Sequence, residues 1–432
     1  MSLLRRHRDF RLLWCGETAG KFGASVTSVA MPLVAVSTLG AGPFQVGVLT
    51  AASWLPWLAV GLPAGAWVDR VRRRPVMLVA AAVSLVLFAA VPVASATGHL
   101  TTGLLLAVAL LAGTAAVFFQ TAYTAYLPSL LSAADQPEGN AKLHGSASAA
   151  QIAGLGSGGL IAQLAGAVNG MLVNAATFLV SLVCLAGVRH REPRPARPEH
   201  RTGLLREVGE GLRLIAHDPW LRAFTLFGGV SNLALMGYQS IQVVFLVRAG
   251  LAPGTVGALV AAGAAGGVAG ALVVRRVAGR IGTARATLVF ELGLVTGALL
   301  MPLAGGGASA LLFVAGSVCV TAGVVAGNVL KSGFTQRYCP PELLGRLTAS
   351  AAFVSYGTIP LGALLGGALG DALGVRTAMW ITTAGVPLAG LVLALSPIGR
   401  CRDLPTEPPA ALGSATPGGG SPGARREPAR PA

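Results

Sequence analysis

The feature that most constrains this chain is a series of apolar runs of about 20 residues, the length at which a helix rising 1.5 Å per residue crosses a hydrocarbon layer. Twelve such runs can be counted, near residues 12–37, 45–68, 75–96, 102–125, 144–166, 169–188, 222–247, 255–274, 285–304, 308–331, 347–370 and 375–396. Charged residues make up 11% of the chain and hydrophobic residues 53%, against about 25% charged in an ordinary soluble protein. No water-soluble core could bury so much apolar surface, so the structural unit is the spanning helix. The expected fold is an all-α polytopic membrane protein with twelve transmembrane helices. The first run contains Glu17 and Lys21 and is too long and polar for a cleaved leader, so it is expected to remain as helix one.

The net charge is +16. Nucleic-acid binders carry their basic residues on a water-exposed domain, and none is present here. When the loops are assigned alternately to two sides, 29 of the 32 Lys and Arg fall on the side of the N-terminus; only Arg248 and Arg376 fall opposite, and Lys21 lies within helix one. That asymmetry is the positive-inside pattern, and it places both termini in the cytoplasm of a cell whose plasma membrane holds the chain. Cys15, Cys184, Cys319, Cys339 and Cys401 are too scattered for a disulfide framework or a metal site. No phosphate-binding loop precedes a helix, and "GLGSGG" at 154–159 lies within a span with no strand before it. Neither a cofactor nor direct use of ATP is expected, which leaves an ion gradient or downhill flow.

Four units are expected: a six-helix bundle at 1–188, a cytoplasmic linker at 189–221, a second six-helix bundle at 222–396, and a disordered cytoplasmic tail at 397–432. In the linker Leu204, Val208, Leu212 and Ile215 recur at helical spacing among charged residues, the pattern of an amphipathic helix lying on the membrane. The two bundles look like repeats. "GAWVDR" at 65–70 has a counterpart in "GALVVR" at 270–275, and Gly154, Gly158 and Gly159 recur as Gly362, Gly366 and Gly367, offsets of about 205 residues that suggest pseudo-symmetry.

"GAWVDRVRRRP" at 65–75, six plus six helices and a basic central loop together resemble the major facilitator superfamily. "YLPSLLSAADQPEGNAKLHGSAS" after helix four and "RYCPPELLGRLTAS" after helix ten are similar to the cytoplasmic loops of its drug, macrolide and enterobactin exporters. The resemblance implies that Gly65, Asp69, Arg70, Arg73 and Arg74 form a gating motif, which pairs across the bundles when the cavity faces outward and releases when it faces inward. Arg72 stands where the family usually has glycine, and Val274 where the aspartate would recur, so a charge lock is expected in the N-terminal half only. The family lines its cavity with helices that here carry Gln120, Tyr123, Tyr126, Asn232, Tyr238, Gln239, Gln242 and Asn328. It packs helices five and eight across the bundles, which assigns Gly154, Gly158, Gly263 and Gly267 to that interface.

Glu17 and Lys21 are four apart and share a helix face. A charge at mid-bilayer costs roughly 2.5–3.5 kcal/mol on insertion scales, so such residues face a bundle interior or water. Glu17 can take up a proton or recognise a cationic substrate with Lys21 tuning it; a purely structural pair is the alternative. Glu291 in helix nine is expected to have a structural partner such as an arginine of loop eight, and Asp371 to be solvated near the outer end of helix eleven. The leading functional reading is secondary active efflux of a small amphipathic compound, a drug, antibiotic or siderophore-like molecule, by alternating access in exchange for protons. Uptake or facilitated passage of a small metabolite is the second reading. A membrane enzyme or sensor is the third, for which no catalytic cluster or signalling domain is found. The expected partners are a small-molecule substrate, protons and the lipid bilayer, with the protein a monomer.

Overall fold

The computed structural model describes residues 3–190, 192 and 204–406. Among these residues the chain is all helix and turn, with no strand. A short α1 (Leu3–Arg6) leads into α2 (Arg8–Leu33), which runs on through a wider π turn to Thr38. Then follow α3 (Pro43–Ala59), α4 (Gly61–Val68), α5 (Arg73–Ala96), α6 (Thr102–Leu130), α7 (Gln136–Ala165) and α8 (Ala167–Gly187). The linker contributes α9 (Leu204–His217). Beyond it lie α10 (Pro219–Arg248), α11 (Pro253–Ala264), α12 (Gly266–Ile281), α13 (Thr283–Leu288), extended by π and tight turns to Leu303, α14 (Ala310–Tyr338), α15 (Pro341–Ala372) and α16 (Val375–Ala394).

Ten helical stretches among the described residues are long and apolar enough to cross a membrane. Two of the runs counted in the sequence fall outside that set. The run at 45–68 is divided between α3 and α4 at Val60, beyond Pro56, a residue that cannot donate into the helix ladder. Helix α7 opens with the polar stretch "QPEGNAKLHGSASAAQ", and its apolar run begins only afterwards.

Local chemistry sets the helix ends. Thr101 accepts the Leu104 N–H at the start of α6, and the buried Asp218 carboxylate accepts those of Trp220 and Leu221 at the start of α10, each satisfying donors the first turn leaves open. Gly166 (φ 89°) and Gly374 (φ 83°) make the tight turns into α8 and α16, in a region only glycine enters freely.

The packing pattern recurs along the chain. Helix α2 packs on α7 and α8, as α10 packs on α15 and α16; α6 packs on α3 and α5, as α14 packs on α12 and on the 294–303 stretch. Between the sequence halves, α3 packs on α15 and α7 on α11. In a lipid environment such contacts gain close van der Waals packing rather than hydrophobic transfer, which favours small residues at them.

Two expectations change. Helix α9 does not lie free on a surface: it packs against α15 and the start of α10, with Ile215 buried beside Leu221 and Leu347 and Glu210 Oε2 3.4 Å from Arg346 Nη1. The stretch 397–406, expected to belong to a disordered tail, is ordered. Ile398 and Leu404 are buried, the Leu404 N–H donates to Thr283 Oγ1 at 2.8 Å, and Asp403 Oδ1 accepts from the Thr283 N–H at 2.9 Å. Residues 407–432 lie outside the described residues.

Candidate transport cavity and gate

Helix α2 brings Glu17 and Lys21 onto one face, one turn apart. Lys21 Nζ is 3.3 Å from Glu17 Oε1, and the two side chains differ in exposure, 44% for Lys21 and 9% for Glu17. The ammonium also donates to Gln120 Oε1 of α6 at 3.4 Å. Tyr123, three residues further along α6 and stacked with Phe119, is buried beside this group. A carboxylate shielded by protein, paired with a cation that reaches open space, is an arrangement in which loss of the carboxylate charge releases the cation.

The C-terminal half holds a second charged group. Glu291 is buried, and its side chain lies over Gly327 of α14, where a β-carbon would come within 2.7 Å of Glu291 Cγ. The cation whose charge it feels is Lys331, one turn further along α14, and not the expected loop arginine. The Lys331 ammonium extends toward α10 and α15: a β-carbon on Gly228 would stand 3.4 Å from Lys331 Nζ and 3.6 Å from Ser355 Oγ. The expectation failed because Lys331 was counted at the end of its apolar run, whereas α14 continues two turns beyond it. Asp371 is exposed at the end of α15, as expected.

The remaining cavity candidates divide by environment. Gln120, Asn232, Gln239 and Gln242 are part-buried and Asn328 is exposed. Tyr126 and Tyr238 are packed into core clusters, and the Tyr126 hydroxyl reaches the His190 carbonyl at 3.5 Å. An aromatic group not singled out in the sequence joins α3 to α15. Trp57 and Tyr356 have ring centroids 5.4 Å apart, and Trp54 lies 6.3 Å from Trp57 and 6.5 Å from Tyr356. Its signal was the three-residue spacing of the tryptophans, which puts both on one face.

The loop between α4 and α5 shows what each charge of the expected gating motif does. Asp69 is 68% exposed and, among the described residues, its carboxylate meets only Arg73, at 4.0 Å. Arg73 instead makes its close ion pair with Glu192, which is 4% exposed and also accepts the Arg73 N–H at 3.0 Å. Arg74 donates to the carbonyls of Leu185 (3.1 Å) and Ala186 (2.7 Å) at the end of α8. The side chains of Arg70 and Arg72 are exposed with no hydrogen-bond or ion-pair partner among the described residues. Gly65 has open space around its β position. Glu192 was missed because it sits in the arginine-rich stretch "RHREPRPAR", where the average charge hides a single acid.

The interface glycines require correction. A β-carbon on Gly154 would meet the Phe22 carbonyl oxygen at 2.6 Å and one on Gly158 the Val26 oxygen at 2.9 Å, so both face α2 within their own half. Gly263 and Gly267 face Ser317 and Val325 of α14. The α7–α11 contact is made by Gly159 against Gly257, 2.6 Å from β position to Cα. One residue along a helix turns the side-chain direction by about 100°, enough to exchange one neighbour for another. The second contact between halves joins Gly47 of α3 to the Ala363 oxygen (2.6 Å) and the Gly367 Cα (3.0 Å) of α15. Both contacts lie at the end remote from the gating-loop arginines. At the basic end, Gly61, Gly65, Gly145 and Gly345 have nothing within 4 Å of a β-carbon. The close glycine contacts between the halves thus lie at one end, and these four glycines make none at the other.

This fold, with charged groups held inside membrane-length helices, is that of a polytopic membrane protein. Residues 13–361 match the Major Facilitator Superfamily, and the chain belongs to that family. It is 28% identical over 429 residues to a multidrug efflux pump, Tap, of Mycolicibacterium fortuitum, a match covering 94% of this chain and 100% of the relative. It is 28% identical over 405 residues to the Tap pump of Mycobacterium tuberculosis, covering 88% and 92%. Among solved structures it shares its fold with the nucleoside transporter NupG (TM-score 0.70, 11% identity, 90% of this chain and 98% of that one). It also shares it with a bacterial homologue of the iron transporter ferroportin in an inward-facing state (TM-score 0.69, 18% identity, 91% and 99%).

Proposed function

We propose that this protein is a secondary active exporter of a small amphipathic compound, working by alternating access of two six-helix bundles, residues 1–188 and 222–396, with twelve spans and both termini in the cytoplasm. The positive-inside distribution supports the orientation, and on that reading the basic end is cytoplasmic; the close glycine contacts between the halves at the opposite end support an inward-facing conformation. The repeated packing of α2 on α7 and α8, and of α10 on α15 and α16, supports the pairing of bundles. Export, rather than uptake, follows the multidrug efflux pumps to which the chain is similar along nearly its whole length.

The observation that supports the mechanism is the Glu17–Lys21–Gln120 group, which on this reading faces the substrate path. Substrate enters from the cytoplasmic side and meets the half-exposed Lys21, the amides of Gln120, Asn232, Gln239 and Gln242, and the Trp54, Trp57 and Tyr356 rings. Scattered polar groups among aromatics suit a mostly apolar ligand. Closure at the basic end then brings Asp69 toward the facing helices while the glycine contacts at the other end part. A proton from outside neutralises the Glu17 carboxylate, frees Lys21 from its 3.3 Å pair, and returns to the cytoplasm when the cavity faces inward again.

The test is efflux from proteoliposomes loaded with a panel of fluorescent amphipathic compounds. An imposed proton gradient is expected to drive transport and a protonophore to collapse it. Transport indifferent to the gradient removes the coupling; transport in the inward direction only removes export.

A further inference from the structure

We propose that the outer side of the gating loop is a binding site for one anionic phospholipid, held by Arg70 and Arg72. Between α4, α5 and α6 lies an open groove of about 870 Å³. Its walls are apolar: Trp67, Val79, Val83, Leu111 and Phe118 line it, and the first four are exposed large hydrophobic side chains. Trp67 meets Phe118 edge to face at 5.6 Å, which closes one side. From the basic end at Arg73 to Val83 is ten residues of α5, about 15 Å at a helical rise and so about one leaflet of a bilayer.

The mouth of this groove is where the four arginines of the loop divide. Arg73 and Arg74 are engaged inward, by Glu192 and by the end of α8. Arg70 and Arg72 line the groove, and neither guanidinium has a hydrogen-bond or ion-pair partner among the described residues. Two free cations over an apolar slot one leaflet deep match a phosphate headgroup above an acyl chain. They would repel a cationic amphiphile and leave the second charge of a zwitterionic lipid unused. The proposal rests on the membrane-spanning reading and is independent of what is transported.

Trp67 supplies the probe. The purified full chain is reconstituted in phosphatidylcholine containing increasing fractions of dibrominated phosphatidylglycerol or dibrominated phosphatidylcholine, and tryptophan quenching is followed. The saturable component is expected to favour the brominated phosphatidylglycerol by roughly thirtyfold, given two basic residues at a membrane surface, and to fall away in Trp67→Phe. Arg70→Gln with Arg72→Gln is expected to abolish the preference, and Arg72→Gly alone to reduce it about fivefold, which keeps the test open if the double variant does not fold. Arg275→Gln with Arg276→Gln, at the basic end of α12, is expected to leave it unchanged. Equal quenching by the two lipids overturns the proposal, as does a preference that survives loss of Arg70 and Arg72 or that falls equally with Arg275 and Arg276. Displacement by millimolar inorganic phosphate would make this a site for a free anion and overturn the lipid assignment.

Discussion

Gly159 of α7 and Gly257 of α11 meet backbone to backbone, a β-carbon on the first lying 2.6 Å from the Cα of the second. Gly367 of α15 meets Gly47 of α3 in the same way, at 3.1 Å. The repeat extends to the neighbours. Gly154 and Gly158 face α2, while Gly362 and Gly366 face α10, 3.0 Å from the Leu233 Cα and 2.9 Å from the Gly237 Cα. Each glycine triplet turns two members to the first long helix of its own half and the third to the other half.

Gly159→Val should therefore be severe. Overpacking of this kind costs about 1–3 kcal/mol, and here the obstructing atoms are backbone that cannot rotate away. A lower thermal unfolding midpoint in detergent and loss of efflux are expected, whereas Gly145→Ala, with open space around it, should be neutral. Equal midpoints for the two variants would remove the contact's importance.

Glu17→Gln keeps the shape of the carboxylate and removes its charge. Gradient-driven efflux should be lost while downhill exchange of substrate persists, a split that a merely structural pair would not produce. Lys21→Ala strips a shielded carboxylate of its 3.3 Å partner and should shift the pH profile of efflux as well as lower its rate.

A disulfide across the end where the glycines of the two halves meet should stop the cycle. In a variant lacking the five native cysteines, Pro43→Cys with Gly370→Cys places the two β positions 2.8 Å apart, close enough to join after a small adjustment. Oxidation should block transport and a reductant restore it. Continued transport by the cross-linked protein would refute opening at this end.

The two acids near the gating arginines should behave differently. Glu192→Gln leaves the part-buried Arg73 without its charged partner, and a loss of about 1–3 kcal/mol is expected for a buried charged group left unsatisfied. Asp69→Asn, at an exposed side chain 4.0 Å from Arg73, should barely move the unfolding midpoint yet slow transport if the lock forms only in the other conformation.

The N-terminal segment should detach in acid. Asp135 is held below its ordinary 3.8 by the Ser132 hydroxyl and the Arg6 charge, and Glu138 below its ordinary 4.5 by the Leu3 N–H and Lys142. Groups with depressed folded-state values contribute stability that is present above the ordinary value and lost as pH falls through the folded one. A fluorescent probe on Arg5→Cys, in a variant lacking the native cysteines, should report constant mobility from pH 8 to 5 and release only below about pH 4. Release near neutrality would show that these contacts do not anchor α1.

Much of this architecture is written in one dimension. The length of the apolar runs and the one-sided placement of the arginines depend only on how far a helix reaches and which ends meet headgroups, and both can be counted along the chain. The Glu17–Lys21 pair was equally legible, because a four-residue spacing is a contact within one helix. Partners from other helices were not. Lys331 for Glu291, Glu192 for Arg73, Gly257 for Gly159 and Tyr356 for Trp57 are each brought together by the rotation of a helix about its axis, which a shift of one residue changes by about 100°. Only the tertiary packing selects that phase, and with it which arginines of the gating loop are bound inward and which stay free at the surface.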